Sequence, residues 1–265
     1  MHAGNTFGTD SAALITGASS GIGKALARVC ARHGHNLVIN ARNEERLREL
    51  ATELENEFGI YVHVLPKDLS VESAPEEIYN ALQKENITID ILINNAGFDV
   101  HGEFHNTPGD QERQMIQVNL VALTMLTKLL LPAMVERGRG RILNIGSTGS
   151  FIPSPLNAIY SATKAYVLSF SEAISMELRG TGVTVTALCP GATRTEFHDR
   201  ADMEEIRLLK FGRMSAETVA EKGYRAMMAG KRVEVPGLLN KLQAFLPRIT
   251  PRSILLRSAQ FVLKR

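Results

Sequence analysis

The strongest constraint on this chain is an alternation. Short apolar runs at residues 12–16, 37–40, 62–65, 89–93, 142–145 and 183–188 are separated by longer stretches with helical period. The runs are rich in Val, Ile and Leu on successive positions, as expected for strands buried on both faces. That pattern belongs to a parallel sheet covered on two sides. In the intervening stretches, Leu47, Leu50, Ala51, Leu54 and Phe58 form one apolar stripe on a charged helix. Leu26, Ala27 and Cys30 do the same after the first run, and Gly34 is a stop signal. Alternating strand and helix implies βαβ units with right-handed crossovers. With 265 residues, no internal repeat and no low-complexity linker, one α/β domain accommodates the pattern.

Composition removes several function classes. Hydrophobic residues are 44% and charged residues 22%, which is ordinary globular usage and not that of a disordered chain. The formal charge is +2, from 30 basic and 28 acidic residues, and gives no support for a nucleic-acid partner. Cys30 and Cys189 cannot build a disulfide scaffold, so a reducing cytoplasm is the expected location. Residues 1–10 are polar and read as no signal peptide. Residues 118–135 come closest to a spanning segment, but Lys128 and Pro132 interrupt them.

The first run leads into Thr16-Gly17-Ala18-Ser19-Ser20-Gly21-Ile22-Gly23 and then a helix. Glycines there allow a sharp turn and a close ligand, and the amides at the helix start can face a pyrophosphate. A tight turn alone would explain the glycines; their place between strand and helix favours nucleotide binding. Other features follow in order. Asn94-Asn95-Ala96-Gly97 ends the fourth run and Asn119 lies in the next helical stretch. Ser147 follows the fifth run, thirteen residues before Tyr160 in Tyr160-x-x-x-Lys164. Pro190-Gly191 follows the sixth run, with Thr195 four residues after the glycine.

Taken together, with the Gly-x-x-x-Gly-x-Gly spacing, these motifs resemble the short-chain dehydrogenase/reductase family from residue 12 to about residue 236. The resemblance implies a single Rossmann-like, doubly wound domain: a seven-stranded parallel sheet with helices on both faces. Residues 233–235 would be its last strand. Homodimers or homotetramers are the family's tendency.

Tyrosine and lysine four apart share a helix face. A free phenol titrates at about 10, and a neighbouring ammonium lowers that value. Tyr160 is therefore expected to be the general acid in carbonyl reduction, or the general base in alcohol oxidation. The resemblance has Lys164 also hold the nicotinamide ribose, Ser147 bond the substrate oxygen as charge develops on it, and Asn119 support a water linking Lys164 to solvent. Taken singly, these residues have plainer readings as a solvated helix face, a turn or a helix interior.

The second run ends Asn40-Ala41-Arg42. An acidic residue there binds the ribose 2′-hydroxyl, whereas an arginine accommodates a 2′-phosphate. NADP(H) is thus favoured over NAD(H), although no base stands before Gly21 and Arg42 has Glu44 and Glu45 as alternative partners. By resemblance, Gly17, Ser19, Ser20, Gly21, Ile22 and Gly23 form the phosphate turn, with Asn40 and Arg42 beside it. Asp68 and Leu69 flank the adenine, Asn95, Ala96 and Gly97 the adenosine ribose, and Pro190, Gly191 and Thr195 the nicotinamide amide. Asp68 also reads as a helix cap.

Three segments, 98–107, 148–159 and 196–214, are expected to shape the substrate pocket. Phe151, Ile152, Pro153, Leu156, Phe197, Leu208, Leu209 and Phe211 point to a hydrophobic ketone or secondary alcohol. His101, Glu103 and His105 make an incomplete metal set, and no metal is expected.

Residues 236–265 carry six basic and no acidic residues, leaving 24 basic and 28 acidic in the other 235. The expected organisation is a mildly acidic catalytic domain at 1–235 and a basic amphipathic extension at 236–265, divided by Pro247 and Pro251. The extension either packs on the body or a second subunit, or lies on anionic lipid, which would suit a lipid or ketosteroid substrate. A non-catalytic NADP(H) sensor is the competing function.

Overall fold

The computed structural model describes residues 11–194 and 214–263. Each apolar run is a strand: β1 (Ala12–Thr16), β2 (Asn36–Ala41), β3 (Val62–Pro66), β4 (Ile89–Asn94), β5 (Gly140–Ile145) and β6 (Val183–Leu188). Two short strands not anticipated from the sequence, β7 (Thr193–Arg194) and β8 (Met214–Ser215), pair with each other. Residues 233–234 form β9 (Val233–Glu234). The main sheet has seven parallel strands in the order β3-β2-β1-β4-β5-β6-β9. Successive strands lie to one side of β1 up to β3 and to the other side from β4 onward. In an open α/β sheet, that reversal makes a ligand crevice at the carboxyl ends of β1 and β4.

The helices are α1 (Gly21–Arg32), α2 (Glu44–Phe58), α3 (Ala74–Lys84), α4 (Gly109–Ile116), α5 (Leu123–Glu136), α6 (Ala158–Glu177), α7 (Ala216–Met228), α8 (Leu238–Phe245) and α9 (Arg252–Leu263). Period-2 strand geometry divides their packing between two cores. Ala13 and Ile15 of β1 point to Leu26, Leu50, Val219 and Met227 of α1, α2 and α7. Leu14 points the other way, to a core holding Ile78, Leu82, Leu126 and Leu130 of α3 and α5. The helical stretch Gly109–Glu136 is long and apolar enough by composition to cross a membrane. Its residues Leu123, Leu126, Leu130 and Met134 are instead buried in the protein.

Beyond β9 the chain divides as the prolines dictate. α8 runs into a 3₁₀ turn at Leu246–Arg248, and α9 starts after Pro251. Leu238 and Leu239 are 84% and 78% exposed, while Ala244 is buried. The charge boundary at residue 235 is not a contact boundary. A Cβ on Gly191 would lie 2.4 Å from Asn240 Oδ1, so α8 sits directly against the turn that follows β6.

Candidate active site

The crevice between β1 and β4 is closed by side chains of the two strand ends. Buried Thr16 accepts the Asn95 and Ala96 amides on Oγ1, each at 3.0 Å. Asn95 returns its Nδ2 to the carbonyls of Thr16 and Gly17 at 2.9 and 3.1 Å. Gly17 has φ 66°, and a Cβ on it would stand 2.9 Å from Ala96 Cα. A Cβ on Gly23 would stand 2.1 Å from the Gly17 carbonyl oxygen. Here glycine is a steric requirement. The Ser20 side chain makes no capping bond to α1, and the first turn of α1 holds no acidic residue. The orphan amides of that turn have no capping side chain, as at helix starts that receive an anion.

Around this turn the expected residues divide into two groups. Arg42 is exposed and makes no ion pair or side-chain hydrogen bond among the described residues; Glu44 pairs with Arg48 instead. Asn40 is fully buried, and its Nδ2 donates to Leu65 and Lys67 carbonyls at 2.9 and 3.1 Å. Its backbone carbonyl accepts the Ala18 amide at 3.0 Å, so Asn40 braces β3 and the glycine turn. Asp68 accepts the Ser70 amide at 2.9 Å, the turn role anticipated as its alternative. Leu69 is buried in the core beside α3. The Asn40 amide nitrogen and the Leu69 side chain are therefore taken up by the scaffold, while Asn40 Oδ1 is buried without a hydrogen-bond partner.

On the far side of the crevice, Ser147 caps the 3₁₀ turn Thr148–Ser150. Its Oγ accepts the Gly149 amide at 3.0 Å. The Tyr160 hydroxyl is hydrogen-bonded to Ser147. One turn along α6, Lys164 places Nζ 5.7 Å from the Tyr160 ring centroid and donates to the Ile145 carbonyl at 2.8 Å. Burial pulls the Lys164 pKa down to about 8, opposed by Cys189 and Asp99. Tyr160 departs from expectation. Burial raises its pKa above the ordinary phenol value, Asp99 adds to the rise, and the Ser147 bond opposes it. The expected lowering by Lys164 does not appear: loss of water around the half-buried phenol dominates, the Asp99 charge adds to it, and the Lys164 ammonium donates to Ile145.

Asn119 lies in a π-helical turn, Gln117–Ala122, between α4 and α5. Such turns frequently mark functional sites. Its Oδ1 accepts the Phe98 amide at 3.0 Å and its Nδ2 donates to the Phe98 carbonyl at 2.9 Å. A Cβ on Gly97 would come within 2.9 Å of that Oδ1. The side chain thus fixes the exit of β4 at both ends of its amide, a contact the sequence did not announce. Pro190 accepts the Thr148 amide at 2.9 Å, tying the end of β6 to the Ser147 turn. Thr195, Phe197, Leu208, Leu209 and Phe211 lie outside the described residues.

The sequence reading missed Asp99 and Asn157 here, and gave His101 no partner from the other segment. Segments 98–107 and 148–159, taken as apolar lining, bring Asp99, His101 and Asn157 together. Burial raises the Asp99 carboxyl to about 7, against the Val100 amide and Lys164. His105 is paired with Glu103 at 3.7 Å, and no group of three metal-ligating side chains occurs among the described residues.

A family model described as short chain dehydrogenase matches residues 11–205. An NADP-dependent 3-hydroxy acid dehydrogenase of Escherichia coli is 39% identical over 186 residues, 69% of this chain and 73% of that protein. A very-long-chain 3-oxoacyl-CoA reductase of Rattus norvegicus is 28% identical over 243 residues, 89% of this chain and 75% of that protein. A solved short-chain dehydrogenase from Sphingobium yanoikuyae, in complex with NADPH, has a TM-score of 0.80 at 34% identity, covering 91% of this chain and 96% of that one. The sheet order, the glycine turn and these matches agree: the chain belongs to the short chain dehydrogenase family and is an oxidoreductase.

Proposed function

We propose that the protein is an NADP(H)-dependent carbonyl reductase or alcohol dehydrogenase acting on a hydrophobic ketone or secondary alcohol. The observation that carries this reading is the meeting of the half-buried Ser147 hydroxyl and Tyr160 phenol with the buried Lys164 ammonium in one corner beside the crevice. The residues present fit the cofactor. The crevice has no room for a Cβ at Gly17 or Gly23, α1 starts without a capping side chain or an acid, and Arg42 is uncommitted among the described residues. Gly17 to Gly23 and Arg42 would hold the phosphates, and Asn95 to Gly97 and Lys164 the riboses. When bound, NADPH supplies the hydride.

The chain's own part is protonic and electrostatic. Ser147 offers its hydroxyl to the substrate oxygen, and Tyr160 gives that oxygen its proton as negative charge grows there. Lys164, positive below about pH 8, stabilises the phenolate left behind. Asn119 holds the Phe98 backbone and so positions the wall that faces Lys164. In alcohol oxidation Tyr160 takes the proton instead. The test is NADPH oxidation across aromatic ketones, ketosteroids, acyl substrates and sugars. Tyr160→Phe is expected to keep NADPH binding and lose about 10²- to 10⁴-fold in turnover. Full activity in that variant overturns the reading, and NADPH binding without turnover on any carbonyl favours a sensor.

A second reading concerns where the enzyme works. Residues 236–265 combine exposed Leu238, Leu239, Leu242, Phe245 and Ile249 with six basic residues and no acid. This supports contact with anionic membrane through α8 and α9, where lipophilic substrate would be taken up. Assembly into dimers or tetramers through the same surface is the alternative.

A further inference from the structure

Asn157 occupies the N-cap of α6, three residues before Tyr160, so it sits at the head of the turn that carries the phenol. An asparagine in that place ordinarily accepts from the helix's own amides, yet this one makes no cap bond. Its side chain is buried and engages another segment. Nδ2 donates to Asp99 Oδ2, and Oδ1 meets His101 Nδ1. An amide oxygen can only accept, so His101 Nδ1 carries the hydrogen of that bond. One amide thus bridges two side chains of segment 98–107.

The backbone repeats the connection. Leu156 sits at φ 69°, a left-handed conformation costly for leucine. Its carbonyl accepts the Gly102 amide at 2.8 Å. Residues 99–102 and 156–157 are therefore clasped together, although one helix goes without its side-chain cap and one leucine is strained. Departures of this kind gather at functional positions.

Both sides of the clasp lead to the reacting groups. A Cβ on Gly97 would lie 3.5 Å from Lys164 Nζ, and Phe98 is fixed on Asn119; the gripped segment starts at the next residue. On the other side, the Asn157 carbonyl accepts the Ser161 amide at 2.9 Å, and Ser161 Oγ accepts the Ser154 amide at 3.2 Å. These bonds tie the loop before α6 to the turn that holds Tyr160. A plain cap would fasten the helix end only to itself. The clasp fastens it to the exit of β4.

We propose that Asn157 is a positioning residue for Tyr160: by bridging Asp99 and His101 it sets the first turn of α6, and with it the phenol, against the exit of β4. This inference rests on the reductase reading above and adds a residue that acts through Tyr160. Proton transfer needs hydrogen-bond reach, so a small displacement of the donor lowers the rate steeply.

The test separates this role from capping. Asn157→Ser supplies a hydroxyl that caps helices as well as asparagine does, but it is too short to bridge Asp99 and His101. The protein is labelled with tyrosine carrying an NMR-active ζ carbon, and the Tyr160 resonance is the one absent from Tyr160→Phe. In Asn157→Ser that resonance is expected to shift with no cofactor or substrate present. With NADPH and propiophenone, kcat is expected to fall about 10- to 100-fold while the KM for NADPH stays nearly unchanged. Asn157→Asp sets two carboxyls against each other and lowers kcat likewise. Adding Asp99→Asn exchanges the pair, restores the bridge and recovers most of kcat. An unaltered resonance or an unaltered kcat in Asn157→Ser overturns the inference, and so does an exchanged pair no faster than Asn157→Asp. Equal turnover by Tyr160→Phe and the unaltered protein counts against the reductase reading instead, and the resonance then decides on Asn157 alone.

Discussion

The Lys164 ammonium donates to the Ile145 carbonyl at 2.8 Å while lying 5.7 Å from the Tyr160 ring centroid. One enclosed cation thus joins the end of β5 to the reacting face of α6. Its burial lowers its pKa to about 8, against about 10.4 for an exposed lysine. Below pH 8 the folded protein carries this charge at a cost that the unfolded chain escapes. Between pH 8 and about 10.4 the folded state releases the proton first, and the cost fades as pH rises. Lys164→Met is therefore expected to raise stability by roughly 1–3 kcal/mol at pH 7, with little gain left near pH 10.5. Denaturant melts at the two pH values check this; a gain that grows with pH contradicts it. The same variant loses turnover.

Arg42 is exposed and without an ion pair among the described residues. If it receives a 2′-phosphate, Arg42→Ala raises the KM for NADPH by about 10- to 100-fold and leaves that for NADH nearly unchanged. Equal changes for both cofactors would remove Arg42 from the phosphate site.

Thr16 holds two amides of the segment after β4 on a single buried hydroxyl. Thr16→Val keeps the volume and orphans both amides. It is expected to cost about 1–3 kcal/mol and to weaken NADPH binding, because Asn95 to Gly97 lose their anchor. Thermal denaturation with and without NADPH measures both effects. An unchanged melting temperature shows that water replaces the hydroxyl.

Liposomes test the extension. The full chain is expected to float with vesicles of phosphatidylserine and phosphatidylcholine, and to be released as salt screens its six basic residues. Loss of binding on substituting Leu238 and Leu239 by Asp locates the contact on α8. Failure of the unaltered protein to float removes the membrane reading.

The sheet was legible because most of its strands carry apolar residues on successive positions, so runs such as 12–16, buried throughout, announce themselves without any turn signal. The corner of Ser147, Tyr160 and Lys164 was legible through spacing, since four residues along a helix fix a shared face. What spacing cannot carry is direction. Asn40 and Asn119 stand where the motifs put them, yet their amides serve the backbones of β3 and Phe98. The rise in the Tyr160 pKa depends on enclosure and on Asp99, sixty-one positions away in sequence. Asp99, His101 and Asn157 look unrelated in the chain, and the structure joins them through hydrogen bonds between segments 98–107 and 148–159.

The contact of Asn240 with Gly191 has a thermodynamic corollary. The residue after Pro190, whose carbonyl anchors the Ser147 turn, is in close contact with the helix that displays Leu238 and Leu239. The pocket and the proposed membrane-contact face thus share one seam. Whatever settles on the outer face of α8 and alters its seat changes affinity at the inner pocket, and by reciprocity a filled pocket changes the grip of the outer face by the same factor.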